Sequence, residues 1–354
     1  MVDKRNIYLD YLRGLSAILI LLYHYTIRYE QIFGHIGSYP VYFTYGCEAV
    51  KVFFLLAGYF GIKGIEKRKP IEYAVKRFTR IYPVFWVCII ISFISTTLLL
   101  PARAVSVKDM LINFTGIPDL LHAEYVDGAY WTLLCELGFY FIVFMICVLR
   151  LQKHTDKLLI LGAAVEAAIS FMPNREIFAV LRGLDSKFYF HCFIAGGIIA
   201  VAEEFLKKHK NTRYSKGDII KLILYSLTLA VSVAEQFIRH DTPSGLFFVL
   251  ATAVTVILIL INEKGSTLNK TAAKCLSFFE FIAAISYSLY LFHQNMGYII
   301  ISLLEKIGLT NEIFLIIPIG FSIAAAYLLN RFVEKPAAAL SKKLLNSVPQ
   351  KSKQ

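Results

Sequence analysis

The stretch LDYLRGLSAILILLYHY, residues 9–25, decides the fold class of this chain. Apolar residues dominate it, and its length is close to the ~20 residues that an α-helix needs to cross a lipid bilayer. One acidic and two basic residues interrupt it, namely Asp10, Arg13 and His24. A charged side chain inside a membrane span is costly and by default indicates a functional site. The stretch therefore predicts a membrane helix that carries part of such a site.

The rest of the chain has a similar composition. Of its 354 residues 57% are hydrophobic and 18% are charged, against about 45–50% and about 25% in soluble domains. Candidate spans recur along its whole length, at residues 7–29, 41–62, 82–100, 128–149, 158–172, 188–205, 218–237, 244–261, 278–297 and 312–330. The sequence predicts an all-α, polytopic transmembrane helical bundle of about ten spans. We expect one integral-membrane domain over residues 1–340, and a basic cytoplasmic tail over 341–354.

The net charge of +12 is distributed as in membrane proteins. Basic residues concentrate in the segments 63–80 and 206–217 and after residue 330, whereas 30–40 has no lysine or arginine. This pattern follows the positive-inside rule and predicts that both termini are cytoplasmic. The distribution of the positive charge therefore excludes nucleic acid as a binding partner.

Arg13 and His24 share one face of the first predicted helix. Their separation of eleven residues corresponds to roughly 1100° of rotation, within about 20° of whole turns, and to roughly 16 Å along the axis. Asp10 lies three residues before Arg13 and could pair with it. The alternative is a snorkelling arginine and an interfacial histidine.

Two later spans contribute further polar residues. Glu136 lies roughly 12 Å inside the fourth span, counted from its outer end. Ser286, Tyr290 and His293 fall on one face of the ninth span. The predicted topology places His24, Glu136 and His293 in the outer half of the membrane. A histidine beside a carboxylate can act as an oriented general base, so these residues form the candidate catalytic cluster.

A basic segment and an aromatic residue complete the candidates. KRFTRIYP, residues 76–83, places Lys76, Arg77 and Arg80 at the predicted cytoplasmic mouth of the third span. Arg77 and Arg80 are one turn apart and could hold phosphate groups. Ordinary positive-inside charge or binding of lipid headgroups is the alternative. Trp131 is either an aromatic of the membrane interface or a contact for the acceptor.

Two other features receive structural interpretations. Glu48 and Lys51 are three residues apart in the second span and are expected to pair. The six cysteines lie in or beside apolar runs without the spacing of metal ligands, so we interpret them as free thiols.

Taken in order, these segments resemble the motifs of the integral-membrane acyltransferase 3 family. The matching segments are Arg13 with His24, FFLLAGYF at 53–60, KRFTRIYP at 76–83, WTLLCELGFY at 131–140, SYSLYLFH at 286–293 and VEKP at 333–336. Each match is weak alone, whereas six in family order are specific and cover nearly the whole chain. Ala57, Thr132 and Lys51 depart from the family pattern. These departures affect the expected identity of the acceptor more than the expected chemistry.

The resemblance implies a multi-pass enzyme of the bacterial cytoplasmic (inner) membrane. It implies transfer of an acyl group from cytoplasmic acyl-CoA to a hydroxyl of a cell-surface glycan or its lipid-linked precursor. Acetyl-CoA is the expected donor, with another acyl-CoA as an option. The resemblance also implies that His24 is the catalytic histidine and that Arg13, Arg77, Arg80 and Glu136 are functionally important.

The remaining assignments are less specific. Trp131, Ser286, Tyr290 and His293 are expected to contact the acceptor, and membrane lipids are expected partners. A homo-oligomer is one option for the assembly. The rival function is a transporter or flippase of a glycan or lipid precursor, in which the buried charges would line a substrate path.

Overall fold

The all-α prediction is confirmed by a computed structural model, which describes residues 6–34, 41–172, 183, 187–264 and 270–347. These described residues contain no β-strand. The helices are α1 (Ile7–Phe33), α2 (Ala49–Ile62), α3 (Pro70–Leu99), α4 (Val107–Asn113), α5 (Trp131–Val148), α6 (Thr155–Ser170), α7 (Phe190–Lys208), α8 (Lys216–Arg239), α9 (Thr242–Glu263), α10 (Lys270–Lys306), α11 (Ile316–Leu329) and α12 (Lys335–Ser347).

Most of the predicted spans are long apolar helices. Within the described residues, 8 helical segments are long and apolar enough to cross a membrane, so the protein is a multi-pass membrane protein. The fifth and sixth predicted spans are also helical. However, α6 has only 16 residues, and α7 ends in EEFLKK, which brings charge into its last turns.

Two helices are longer than the predicted spans. α3 begins at Pro70 rather than near residue 82, because proline suits the first turn of a helix. The basic segment 76–80 therefore lies inside a helix. α10 continues past Gly297 to Lys306, as expected. The predicted tail is helical as far as Ser347, and residues 348–354 lie outside the described residues.

The chain divides into two compact units. The first comprises Met1–Leu12, Glu48–Arg68 and Cys135–Cys275, and the second comprises Arg13–Cys47, Lys69–Leu134 and Leu276–Gln354.

Close helix contacts in the first unit depend on glycine. A Cβ atom on Gly196 of α7 would lie 1.9 Å from the carbonyl oxygen of Leu55 in α2. One on Gly58 of α2 would lie 2.1 Å from the carbonyl oxygen of Phe193. Small residues let helix backbones approach closely in membranes. The α2–α7 contact therefore requires the absence of side chains at these positions.

A buried polar network also joins the helices of the first unit. Lys51 donates to Glu48 and to Ser244, so the predicted Glu48–Lys51 pair is present. Gln236 Nε2 donates to Ser244 Oγ at 2.8 Å, and its Oε1 lies 2.8 Å from His191 Nε2. Buried polar groups that satisfy one another fix the packing of the elements that carry them. This network links α2, α7, α8 and α9.

In the second unit, α1 and α10 pack closely along their length. A Cβ on Gly14 of α1 would lie 2.0 Å from the carbonyl oxygen of Phe279 in α10. Further along, a Cβ on Gly297 of α10 would lie 2.1 Å from the ring of Tyr25. The Tyr25 hydroxyl donates to the carbonyl oxygen of His293 at 2.9 Å. These contacts hold the end of α1 that carries His24 against α10.

Candidate active site

A pair of histidines lies where α1 meets α10. His24 begins a π-helical turn, His24–Arg28, within α1, and such turns are frequent at functional sites. Its Nδ1 lies 3.0 Å from His293 Nε2, and the ring centroids are 4.8 Å apart at an angle of 67°. His293 is 1% exposed, whereas His24 is half-buried. The structure thus brings together two of the predicted site residues.

Neighbouring carbonyl groups determine which nitrogen of each ring carries the proton. His293 Nδ1 lies 2.9 Å from the carbonyl oxygen of Tyr290 and 3.2 Å from that of Leu289. Because a carbonyl oxygen only accepts, this nitrogen is the donor and Nε2 of neutral His293 is an acceptor. His24 Nδ1, which is also 3.0 Å from the carbonyl oxygen of Ile20, then donates to His293. His24 Nε2 is left with its lone pair, as a general base requires.

A buried carboxylate holds α10 to the segment that precedes α5. Asp127 accepts from the backbone N–H of Ala129 at 2.9 Å and from that of Asn295 at 3.0 Å. Asn295 Nδ2 donates to Ser92 Oγ at 2.9 Å and to the Val126 carbonyl at 2.8 Å. Burial raises the pKa of Asp127, although both N–H bonds favour its charged form. These bonds fix the part of α10 that directly follows His293.

The start of α5 is joined to α10 by a second set of bonds. The Tyr290 hydroxyl donates to the Ala129 carbonyl at 3.1 Å, and Thr132 Oγ1 lies 3.0 Å from that hydroxyl. The Tyr130 hydroxyl donates to the Leu291 carbonyl at 3.2 Å. Tyr290, predicted to contact an acceptor, therefore positions α5 against the helix of His293.

Two other predicted acceptor contacts occupy different environments. Ser286 is buried and its Oγ donates to the Ala283 carbonyl at 2.9 Å, within its own helix. Trp131 is half-buried at the start of α5. Their contact with an acceptor stays a prediction.

Glu136 and Asp10 belong to the first unit, whereas Arg13 and His24 belong to the second. The Tyr140 hydroxyl donates to Glu136 Oε2 at 3.3 Å, one turn along α5. Asp10 is buried, and Arg13 is half-buried in the regular part of α1. The side chain hydrogen-bonded to His24 in the second unit is His293. The functional roles of Glu136, Asp10 and Arg13 stay predictions.

The basic segment lies on the first turns of α3. Lys76 Nζ donates to Glu72 Oε1 at 2.6 Å, and both side chains are substantially exposed. The Arg77 guanidinium lies 5.2 Å from the ring centroid of Tyr73, and Arg80 is exposed. The two arginines remain one helical turn apart, as predicted. Binding of donor phosphates by this segment stays a prediction.

The fold and the site together define a class, namely a polytopic helical membrane protein with a hydrogen-bonded histidine pair. The family model described as an acyltransferase domain matches residues 6–331, nearly the whole chain. The chain belongs to the acyltransferase 3 family and is an acyltransferase, which confirms the resemblance drawn from its motifs. No curated protein and no solved structure matches the chain.

Sequence reasoning missed several residues of the site. Asp127, Gln294 and Asn295 were not among the candidates, although Gln294 and Asn295 directly follow His293 and Asp127 lies just before α5. Their proximity to the motifs was the available signal. Nothing in the order of residues showed that segment 126–129 contacts α10.

Proposed function

We propose that this acyltransferase is a membrane O-acetyltransferase. It moves the acetyl group of cytoplasmic acetyl-CoA to a hydroxyl of a cell-surface glycan or its lipid-linked precursor. The observation that carries the proposal is the bond between His24 and His293, because it leaves His24 Nε2 as an oriented base. Family membership supports acyl transfer in general.

The transfer is balanced as a single displacement. His24 Nε2 takes the proton of the acceptor hydroxyl while the hydroxyl oxygen attacks the carbonyl carbon of the thioester. The carbon–sulfur bond breaks, and the leaving thiolate of coenzyme A takes the proton from His24. While His24 is an imidazolium, its Nδ1–H donates to His293 Nε2. His293 therefore stabilises the charge that develops on His24 during the reaction.

The donor would approach from the side of the basic segment. Coenzyme A carries several phosphate charges, and the guanidinium groups of Arg77 and Arg80 offer forked donors for them. Lys76 adds a point charge beside them. The predicted topology places this segment in the cytoplasm, where acetyl-CoA is available.

A reconstituted assay tests the proposal. The purified protein in vesicles receives acetyl-CoA labelled in the acetyl group, together with glycan acceptors from membranes of cells that lack the gene. We expect label in the glycan and release of free coenzyme A. His24→Ala should lower the rate by about 10²–10⁴-fold, whereas His154→Ala, at an exposed position, should act as wild type. Near-wild-type turnover by His24→Ala would reject the mechanism.

The same assay separates the rival function. A transporter or flippase would move a glycan or lipid precursor without consuming acetyl-CoA. Membership of an acyltransferase family favours the enzyme.

A further inference from the structure

Three buried polar atoms, on α10 and on the turn that follows α3, have no hydrogen-bond partner among the described residues. They are Arg103 Nε, Gln294 Oε1 and Asn295 Oδ1. Gln294 is 3% exposed and Asn295 is not exposed at all. Buried polar atoms are rarely unpaired in native proteins. An unpaired one calls for an explanation such as a ligand or bound water. Three such atoms on neighbouring segments therefore call for a ligand or bound water at this place.

Gly128 marks where two of these groups meet. A Cβ on Gly128 would lie 2.9 Å from Gln294 Nε2, 3.3 Å from Gln294 Oε1 and 3.2 Å from Arg103 Nη2. The amide of Gln294 and the guanidinium of Arg103 thus lie against the same α-carbon. Any side chain at position 128 would displace them.

Fixed neighbours hold the two amide side chains in place. The amide nitrogen of Gln294, Nε2, donates to the Tyr298 hydroxyl at 3.3 Å. Asn295 Nδ2 is bound by Ser92 and Val126, so only its Oδ1 remains to accept. The two amide oxygens without a partner therefore belong to side chains whose nitrogens already donate hydrogen bonds.

The cluster adjoins the histidine pair. Gln294 and Asn295 directly follow His293 on α10, and the ring of Tyr298 packs on Tyr29 of α1 with centroids 5.5 Å apart. Arg103 ends the turn after α3 and is half-buried. The loop that contains it is predicted to lie outside the cell, on the side from which a surface glycan would arrive.

The unpartnered atoms select one class of ligand. Amide oxygens only accept hydrogen bonds, whereas the Arg103 Nε–H only donates. A hydroxyl group can do both, so a ligand with several hydroxyl groups is chemically compatible with each of the three atoms. A carboxylate or phosphate only accepts, so it could bind Arg103 but would face the two amide oxygens without a donor. The Asp127 carboxylate, bound to the backbone of Asn295, adds a further group that disfavours an anion.

We propose that Arg103, Gln294, Asn295 and Gly128 form the acceptor subsite of this enzyme, and that the subsite binds an uncharged sugar ring through its hydroxyl groups. The inference rests on the proposed function, since it takes the ligand to be the acceptor of the acetyl group. It adds the class of acceptor and the residues that bind it.

Ligand-observed saturation-transfer NMR tests the subsite on the full chain in lipid nanodiscs, with no acetyl-CoA present. The probes are the methyl α-glycosides of glucose, galactose and mannose, and the methyl α-glycosides of glucuronic and galacturonic acid as anionic counterparts. We expect at least one neutral glycoside to bind, and to bind better than the uronic acids. Absence of neutral binding, as for a cluster filled only by water, would overturn the inference, and so would preference for the anionic probes.

Variants locate the binding. Gln294→Leu removes the amide at similar size and should weaken binding of the neutral glycoside by about tenfold. Gly128→Ala should weaken it as well, because the new methyl group displaces Gln294 and Arg103. Gln31→Leu alters an exposed glutamine of the same unit and should leave binding unchanged. Wild-type binding by both Gln294→Leu and Gly128→Ala would contradict the assignment, and Gly128→Ala still decides if Gln294→Leu does not fold.

The binding test separates this inference from the proposed function. His24→Ala should still bind the neutral glycoside in preference to the uronic acids, while its rate of acetyl transfer falls by about 10²–10⁴-fold. If acetyl transfer occurs but the neutral glycosides do not bind, the subsite is wrong and the proposed function stands. If glycosides bind but acetyl-CoA is never consumed, the proposed function is wrong.

Discussion

His293 Nε2 lies 3.0 Å from His24 Nδ1, although 269 positions separate the two residues in sequence. His293 is fixed in turn by its own bonds to the carbonyls of Tyr290 and Leu289. The second histidine therefore acts on the first in the way that a carboxylate orients the histidine of a hydrolase triad. The difference is that neutral His293 brings no charge to the site.

Replacement of His293 tests this positioning role. His293→Leu removes the acceptor for the His24 Nδ1–H, and kcat should fall by about 10–10²-fold, less than for His24→Ala. His293→Gln keeps an acceptor oxygen within reach and should restore part of the rate. The measurement is kcat in the vesicle assay, with KM for the donor as a check. Equal rates for the Leu and Gln variants would show that the hydrogen bond does not matter.

The basic segment of α3 is predicted to serve the donor. Exchange of both Arg77 and Arg80 for Lys keeps the charge but removes the planar fork that binds phosphate. The KM for acetyl-CoA should rise, while the KM for the acceptor should change little. Arg213→Lys, at an exposed position in another predicted cytoplasmic segment, is the matched control. An unchanged donor KM in the correctly inserted double variant would reject the assignment.

The orientation of the chain can be measured by labelling of single cysteines on a cysteine-free background. Asn211→Cys lies in the lysine-rich segment 206–217, and Ala102→Cys lies in the segment between α3 and α4; both positions are exposed. The positive-inside rule predicts that an impermeant thiol reagent labels position 102 in intact cells. Position 211 should react only after permeabilisation. The reverse pattern would place the basic segment of α3 outside the cell.

Glycine contacts in the first unit should control stability. Gly196→Ala places a methyl group 1.9 Å from the backbone of Leu55, which forces α2 and α7 apart. We expect a loss of about 1–3 kcal/mol in the free energy of unfolding. Gly320→Ala, on α11, meets no heavy atom within 4 Å. It should be neutral or raise the stability by about 0.5–1 kcal/mol, because alanine favours helix. Thermal unfolding of the solubilised protein compares the two, and equal midpoints would refute the contact.

Sequence alone determined the fold class and most of the spans. Hydropathy over ~20 residues is a local property, and a bilayer forces such segments to be helical because backbone polar groups must be satisfied internally. For the same reason His24 could be selected from the first span alone, since a polar residue within it must have a function or a partner. The order of the six motifs is likewise a property of the sequence alone.

Sequence placed the start of one helix wrongly and did not single out His293 as the side chain that His24 contacts. The start of α3 at Pro70 was hidden by the basic residues 76–80, which read as a loop although lysine and arginine can snorkel from a helix. The sequence interpretation gave Glu136 the orienting role and gave His293 an acceptor contact. The depth of each residue within its span placed both in the outer half of the membrane. Depth says nothing about which helices are neighbours.

Only the tertiary structure decided what His24 touches and what surrounds His293. The protonation of both rings follows from distances to carbonyl oxygens that depend on the packing of α1 on α10. The roles proposed for Gln294, Asn295 and Arg103 depend on the contact between segment 126–129 and α10, where Gly128 leaves room for the side chains of Gln294 and Arg103. Hydropathy fixes each helix in the bilayer independently. The chemistry of the site depends on contacts between distant segments, and these arise only when the helices pack.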